Sequence, residues 1–163
     1  MAVDIFCKID GIDGESTDDK HKNWIEVLSF NWGVSQPVSM ASATGGRTSG
    51  RADFQDFTIT KVVDKATPDL YLYCVNGKHI PKVEIECCLA TGEKHCFQKF
   101  TLEDVVVSSV SPGGAADAGE NKPLETVTFN YGKIRWEYTP IDHTGKKGST
   151  IKRGWDLEAN KQL

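Results

Sequence analysis

The sequence predicts a mainly β fold: a two-sheet β-barrel of about eight strands, with one flanking helix at roughly 67–76 and a long projecting loop at 35–52. Three observations carry this reading. Apolar residues recur with a period of two in short runs bounded by hairpin-scale turns. Only one segment carries both a helix start and a helix stop. Between two of the apolar runs lies a stretch of small and polar residues whose only large apolar members are Val38 and Met40. At 163 residues the chain is most simply one domain, 1–163, large enough for a hydrophobic core.

Residues 3–9 alternate Val3, Ile5, Cys7 and Ile9 against Asp4, Phe6 and Lys8, the pattern of a half-buried strand. Residues 10–23 form a polar loop. Its Asp10, Asp13 and Glu15 lack the spacing of a calcium loop and are expected to be surface carboxylates of a turn. Residues 24–34 read as the clearest strand. Trp24, Leu28, Phe30, Trp32 and Val34 make its core face, with Glu26 as the exception. The opposite face turns from apolar to small and polar at Ser29 and Asn31, so it should meet water or a partner.

The loop at 35–52 has too little apolar surface to offset the cost of ordering a core of its own. Long connections without internal structure are usually functional or disordered. This one joins two core strands and is expected to project as an arm. After it, residues 53–63 place Phe57, Ile59 and Val63 on one face and Asp56, Thr58 and Thr60 on the other.

Thr67 is a good N-cap, Pro68 suits the first helical position and Asp69 favours the positive helix end. Asn76-Gly77 supplies the stop, with Pro81 shortly after. The run at 70–75 between these signals is apolar on every face, so either its own domain covers it on two sides or another chain does.

The rest reads as strand. Val83, Ile85, Cys87 and Leu89 alternate against Glu84, Glu86 and Cys88. A hairpin-like connection at 91–94 leads to strands at 95–102 and 105–110, then a flexible loop at 111–123. In 124–139 the inward phase changes: Val127, Phe129 and Tyr131 share one parity, Ile134, Trp136 and Tyr138 the other. Gly132 at the switch reads as a bulge. A last strand at 151–157 carries Trp155.

The formal net charge of −4 argues against nucleic acid, which normally calls for a basic stripe; Lys146-Lys147 and Lys152-Arg153 read as solvated tail. Asp4 interrupts any basic n-region, so no secretory leader is expected, and no run approaches transmembrane length. The chain is therefore expected to be made in the cytoplasm, without membrane insertion, and to leave, if it leaves, by a route that reads no cleavable leader. Its five cysteines, an odd count without a C-x-x-C, are expected to be free and mostly buried. Cys87-Cys88 with His95-Cys96 is the only suggestive cluster. Neighbours on a strand point to opposite faces, so no metal site is expected there.

Catalytic signals are missing too. The histidines at 21, 79, 95 and 143 have no ligand spacing, and Gly45-Gly46 and Gly113-Gly114 lack a strand-to-helix context. Asp18-Asp19 and Glu84 with Glu86 fall in loops or on exposed strand faces. Neither catalytic residues nor a cofactor are expected.

Several stretches nonetheless share one pattern. They are 1–9 (Met-Ala-Val-Asp-Ile-Phe-Cys-Lys-Ile), 30–36 (Phe-Asn-Trp-Gly-Val-Ser-Gln), 64–70 (Asp-Lys-Ala-Thr-Pro-Asp-Leu) and 76–79 (Asn-Gly-Lys-His). To these add 106–111 (Val-Val-Ser-Ser-Val-Ser) and 152–157 (Lys-Arg-Gly-Trp-Asp-Leu). Together, in this order and spread over nearly the whole chain, they resemble the Hcp (haemolysin-coregulated protein) family of bacterial type VI secretion.

The resemblance implies a two-sheet barrel with one helix, a homohexameric ring, and rings stacked into a tube related to phage tail tubes. It implies a contractile sheath and baseplate that drive the tube, tipped by a VgrG-type spike, into a neighbouring cell, and small effector proteins held in the lumen. With the sequence read to residue 163, the likeness is expected to be to members without a fused toxin. On this basis Met40, Thr44, Gly45, Gly46, Arg47 and Ser49 are ring-stacking candidates. Tyr71, Leu72 and Val75 are subunit-contact candidates, and Ser29 and Asn31 are candidates for effector contact in the lumen. The runner-up is a monomeric small-ligand β-barrel, with the aromatics lining a pocket. An enzyme on such a barrel comes third, with no nucleophile or base to name.

Overall fold

The computed structural model describes residues 2–40, 47–116 and 122–163. Its elements in chain order are β1 (Val3–Ile9), β2 (Ile25–Val27), β3 (Ser29–Asn31), β4 (Val34–Ser35), β5 (Val38–Met40), β6 (Arg47–Ser49), β7 (Asp53–Phe54) and β8 (Phe57–Val62). Helix α1 (Thr67–Asn76) follows, then β9 (Ile80–Leu89), β10 (His95–Gly113), β11 (Leu124–Tyr138), β12 (Ile151–Asp156) and β13 (Lys161–Gln162). The fold is mainly β, as expected, with more and shorter strands before α1 than the alternation predicts and a longer one, β10, after it.

Antiparallel ladders join β13, β12, β11, β10, β9, β1 and β2 in that order, while β8 pairs with both β11 and β3. Only Leu28 separates β2 from β3. The ladders therefore make a circuit: from β11 through β10, β9 and β1 to β2, across Leu28 to β3, then through β8 back to β11. Inside it lie Ile9, Ile25, Phe57, Ile59, Ile85 and Phe129, among others, all buried. Each such side chain contributes about 1.5–3 kcal/mol on leaving water. The aromatics stack through the middle: Phe57 and Phe100 have ring centres 5.1 Å apart, Phe30 and Phe57 5.7 Å, and Trp32 and Trp136 5.7 Å.

The reading of 24–34 as one strand with one core face is corrected. Ile25 and Val27 point inward, while Leu28 is 58% exposed and Val34 is also exposed. After Leu28 the inward parity shifts by one residue, to Phe30 and Trp32, which pack against the core. The cause is a change of partner: Ile25 and Val27 pair with β1, whereas Ser29 and Asn31 pair with β8.

The arm is not structureless. Val34 and Ser35 pair with Phe54 and Asp53, and beyond them Val38, Ser39 and Met40 pair with Ser49, Thr48 and Arg47. Polar strands can form such a ribbon because its ladder uses backbone groups only. The predicted strand pair 95–102 and 105–110 is one strand, β10, which passes through Asp104 at φ +52°. Gly132 is not a bulge in the ladder. Register runs unbroken past it, from Glu103↔Lys133 to Val105↔Tyr131, and the ladder slips at Ser108 instead. The phase change is real, however: Val127, Phe129 and Tyr131 are buried before it and Ile134 after it, with Tyr138 exposed at the strand end. At this point β11 also exchanges β8 for β12 as its neighbour.

Helix α1 occupies the predicted residues and ends on Gly77 at φ +65°, a left-handed conformation that suits glycine. Thr67 is not its cap. Ala66 holds that position, and the Asp64 carboxylate accepts the Ala66 N–H at 3.0 Å. The Thr67 hydroxyl is turned inward, for a reason that lies on β8 and β11.

Candidate functional site

Ser29 and Asn31 stand on the outer face of β3, both exposed. Pairing extends that face across three more strands. Asn31 lies opposite Thr58 and Ser29 opposite Thr60. These lie opposite Thr128 and Thr126, which in turn oppose Ser109 and Ser111. Residues directly opposite on neighbouring strands share a face, so the structure collects a patch of small hydroxyl side chains. Near it Ser108 donates to Asp56 at 2.8 Å, and Asn130 Nδ2 donates to the same carboxylate at 3.0 Å. Sequence reading finds Ser29, Asn31, Thr58 and Thr60. The same alternation, Thr126 and Thr128 on either side of Val127, marks two more.

The arm is rooted by a hydrogen-bond chain. Trp32 Nε1 donates to the Tyr131 hydroxyl at 2.6 Å, which donates to the Gln55 carbonyl at 2.7 Å. Burial pushes the Tyr131 phenol up to about 12, so it stays protonated and keeps donating. Above this root, Val38 and Ser49 face one another in the ladder, and Met40 pairs with Arg47 at its described end. Thr44, Gly45 and Gly46 lie outside the described residues.

Beneath α1 the structure holds a charged pair that sequence reading missed. Lys61 is 0% exposed and bonds the buried Glu125 carboxylate. Its ammonium also reaches Asp64 at 2.9 Å and the Thr67 hydroxyl at 3.4 Å. Thr67 in turn donates to Glu125 at 2.7 Å. Thr67 gives up capping to complete this network. Parity carried the signal: Lys61 falls in phase with Phe57 and Ile59, and Glu125 with Val127 and Phe129.

Of the three subunit-contact candidates, two face outward: Leu72 is 54% exposed and Val75 86%. Tyr71 is half-buried and leans on its own chain, its hydroxyl donating to Glu125 at 3.4 Å. Burial and then the Glu125 charge raise its pKa.

A second cluster gathers residues for which no role was expected. His21, 2% exposed, is carried inward by the polar loop before β2. Its ring stacks on Phe6 at 4.2 Å and meets Trp24 edge-on at 4.7 Å. Nδ1 lies 2.7 Å from Asp18 and Nε2 lies 2.7 Å from Glu86. Cys88 and Cys96 sit directly opposite on β9 and β10 and form a disulfide, which overturns the expectation of free thiols at both. Their sulfurs are 3.9 and 3.8 Å from Nε2. Asp18 and Glu86, expected to be idle surface acids, converge on one ring. The hydrogen bond from Lys94 is the main force holding the Asp18 carboxyl down to about 2. The remaining cysteines, Cys7, Cys74 and Cys87, are free, and burial raises the Cys87 thiol to about 11.

Comparison with solved structures places the fold. One described as a type six secretion system protein superposes with a TM-score of 0.94 at 42% identity, covering 99% of this chain and all of that one. Hcp1 from Salmonella typhimurium superposes with a TM-score of 0.82 at 40% identity over the whole of both chains. The class is thus a β-barrel protein of type VI secretion. Residues 6–138 match the family described as type VI secretion system effector, Hcp. Protein hcp1 of Pseudomonas aeruginosa is 41% identical over 164 aligned positions, 99% of each chain. The chain belongs to the Hcp family, whose members are structural, secreted tube proteins rather than enzymes.

Proposed function

We propose that this chain is the repeating subunit of a type VI secretion tube, forming hexameric rings that stack and carry small effector proteins in their lumen. The apolar outer side of α1 is the observation that carries the reading, with Leu72 and Val75 in solvent and nothing of the described chain covering them. A neighbouring subunit would remove that surface from water. A closed ring needs one heterologous interface and a stack needs a second, on the ring faces. The ribbon supplies the second, through Met40, Arg47, Ser49 and the segment with Thr44, Gly45 and Gly46.

The hydroxyl-covered face around Ser29 and Asn31 supplies the lumen wall. Small neutral hydroxyls hydrogen-bond in either sense and suit varied protein cargo. A VgrG-type spike, a sheath and a baseplate would be the further partners, and export would follow this route without a cleaved leader. The packing inside the circuit favours this reading over the small-ligand barrel: the rings of Phe30, Phe57, Phe100 and Trp32 fill the space a ligand would need.

Native mass spectrometry of the tag-free protein tests the proposal. A dominant hexamer mass is expected. A monomer that persists as concentration rises from micromolar to millimolar would overturn it.

A further inference from the structure

We propose that reduction of the Cys88–Cys96 disulfide turns the His21 cluster into a zinc-class divalent metal site. Its ligands would be His21 Nε2, the Cys88 and Cys96 sulfurs and a Glu86 carboxylate oxygen. One atom from each of the four residues already lies within 4.8 Å of all the others. Tetrahedral zinc with bonds of 2.0–2.3 Å holds its donors about 3.3–3.8 Å apart. The two sulfurs must therefore part, and so must Nε2 and the Glu86 oxygen from their 2.7 Å, while the sulfurs need only small adjustments relative to Nε2. Two thiolates and an imidazole form a soft set that favours zinc over magnesium or calcium.

Four features beyond proximity point the same way. The Asp18 carboxylate on Nδ1 leaves Nε2 aimed at the sulfurs, the outer arrangement that orients metal-bound histidines. Phe6 and Trp24 hold the ring plane. The β9–β10 ladder slips one residue between Cys96 and Gln98, a bulge that gives the Cys96 backbone room to re-aim its side chain. Finally, a surface cleft lined by Glu86, Cys96, Lys99 and Glu137 connects the cluster to solvent and offers an entry path. Lys94, 2.7 Å from Asp18, and Lys99, 3.6 Å from Glu86, temper the excess negative charge of two thiolates and a carboxylate.

The chemistry balances. A trialkylphosphine attacks one sulfur and breaks the S–S bond. The two sulfurs take up two electrons, and water supplies their two protons and the oxygen of the phosphine oxide. In a cell a dithiol would serve, closing to its own disulfide. Zinc then replaces the two thiol protons and the proton that Nε2 shares with Glu86, and these leave to solvent.

The test is titration of the phosphine-reduced chain, freed of reductant, with zinc(II) and with cobalt(II), beside the oxidised chain. The reduced chain is expected to take one zinc per chain and to show a sulfur-to-cobalt charge-transfer band, and the oxidised chain neither. Cys96→Ser, confirmed as folded by circular dichroism, should lose the band. Asp18→Asn, which leaves all four ligands in place, should keep the band and weaken zinc binding by roughly 10–100-fold. Zinc binding that is equal in reduced and oxidised chains, or that survives Cys88→Ser with Cys96→Ser, would overturn the site. So would a reduced chain that takes up no zinc.

Discussion

On the inner side of α1 a lysine and a glutamate are buried, while on its outer side a leucine and a valine stand in solvent. Each side is the reverse of what a soluble helix usually presents. They differ in where compensation comes from. Lys61 finds Glu125, Asp64 and Thr67 within its own chain, so the cost of burying its charge is offset before any partner arrives. Leu72 and Val75 find nothing comparable among the described residues. The inner side belongs to folding and the outer side is the one proposed for association, although both lie on one ten-residue helix.

The comparison breaks most severely at Glu125. Glu125→Ala leaves the Lys61 amine buried with its chief partner gone, and should lower unfolding free energy by about 3–5 kcal/mol in urea titrations. No loss would mean that water reaches the ammonium. Replacing both members, Lys61→Met with Glu125→Leu, sharpens the point. If unpairing rather than charge is the cost, the double variant should match the parent or exceed it by about 1–4 kcal/mol. On the outer side, Leu72→Ser with Val75→Ser should move monomer stability by no more than about 0.5 kcal/mol. The same variant should sediment as a smaller species than the parent, and an unchanged sedimentation coefficient would return this face to solvent.

The smallest effect belongs to a pair between these extremes, Asp18 with Lys94, which is only partly buried. The Asp18 pKa is depressed from 3.8 to about 2, chiefly by the hydrogen bond from Lys94. A depressed carboxylate contributes stability above its unfolded pKa and loses it as pH falls through the folded one. Stability should therefore fall between about pH 4 and pH 2, with a shallower slope in Asp18→Asn. Parallel slopes would show that Lys94 does not depend on Asp18.

Legibility followed distance along the chain. Helix α1 was readable to within about one residue, its cap being Ala66 rather than Thr67, because its start and stop signals, Pro68 and Gly77, are local. Lys61 and Glu125 were readable in principle, since each keeps the parity of its buried neighbours. The break at Leu28 was not, because it depends on which distant strand each half meets. The ribbon escaped because its ladder draws on backbone groups that every residue has, so its side chains advertise nothing. His21 had no local signal: Glu86 and Cys96 lie 65 and 75 residues further on. The lumen, arm and helix candidates came from side-chain pattern and family likeness, and the roles proposed for them involve chains other than this one.

The circuit of ladders also has a consequence in time. Synthesis runs from residue 1 onward, and β8 waits with one edge open until β11 leaves the ribosome. At ordinary translation rates that wait is on the order of ten seconds. During it, the strand bearing Phe57 and Ile59 is a template for any other nascent copy. If the chain is the repeating subunit proposed above, it passes through its most adhesive moment just when its siblings are nearest. The pairing of β3 with β8, available as soon as residue 62 is made, closes one of those edges early.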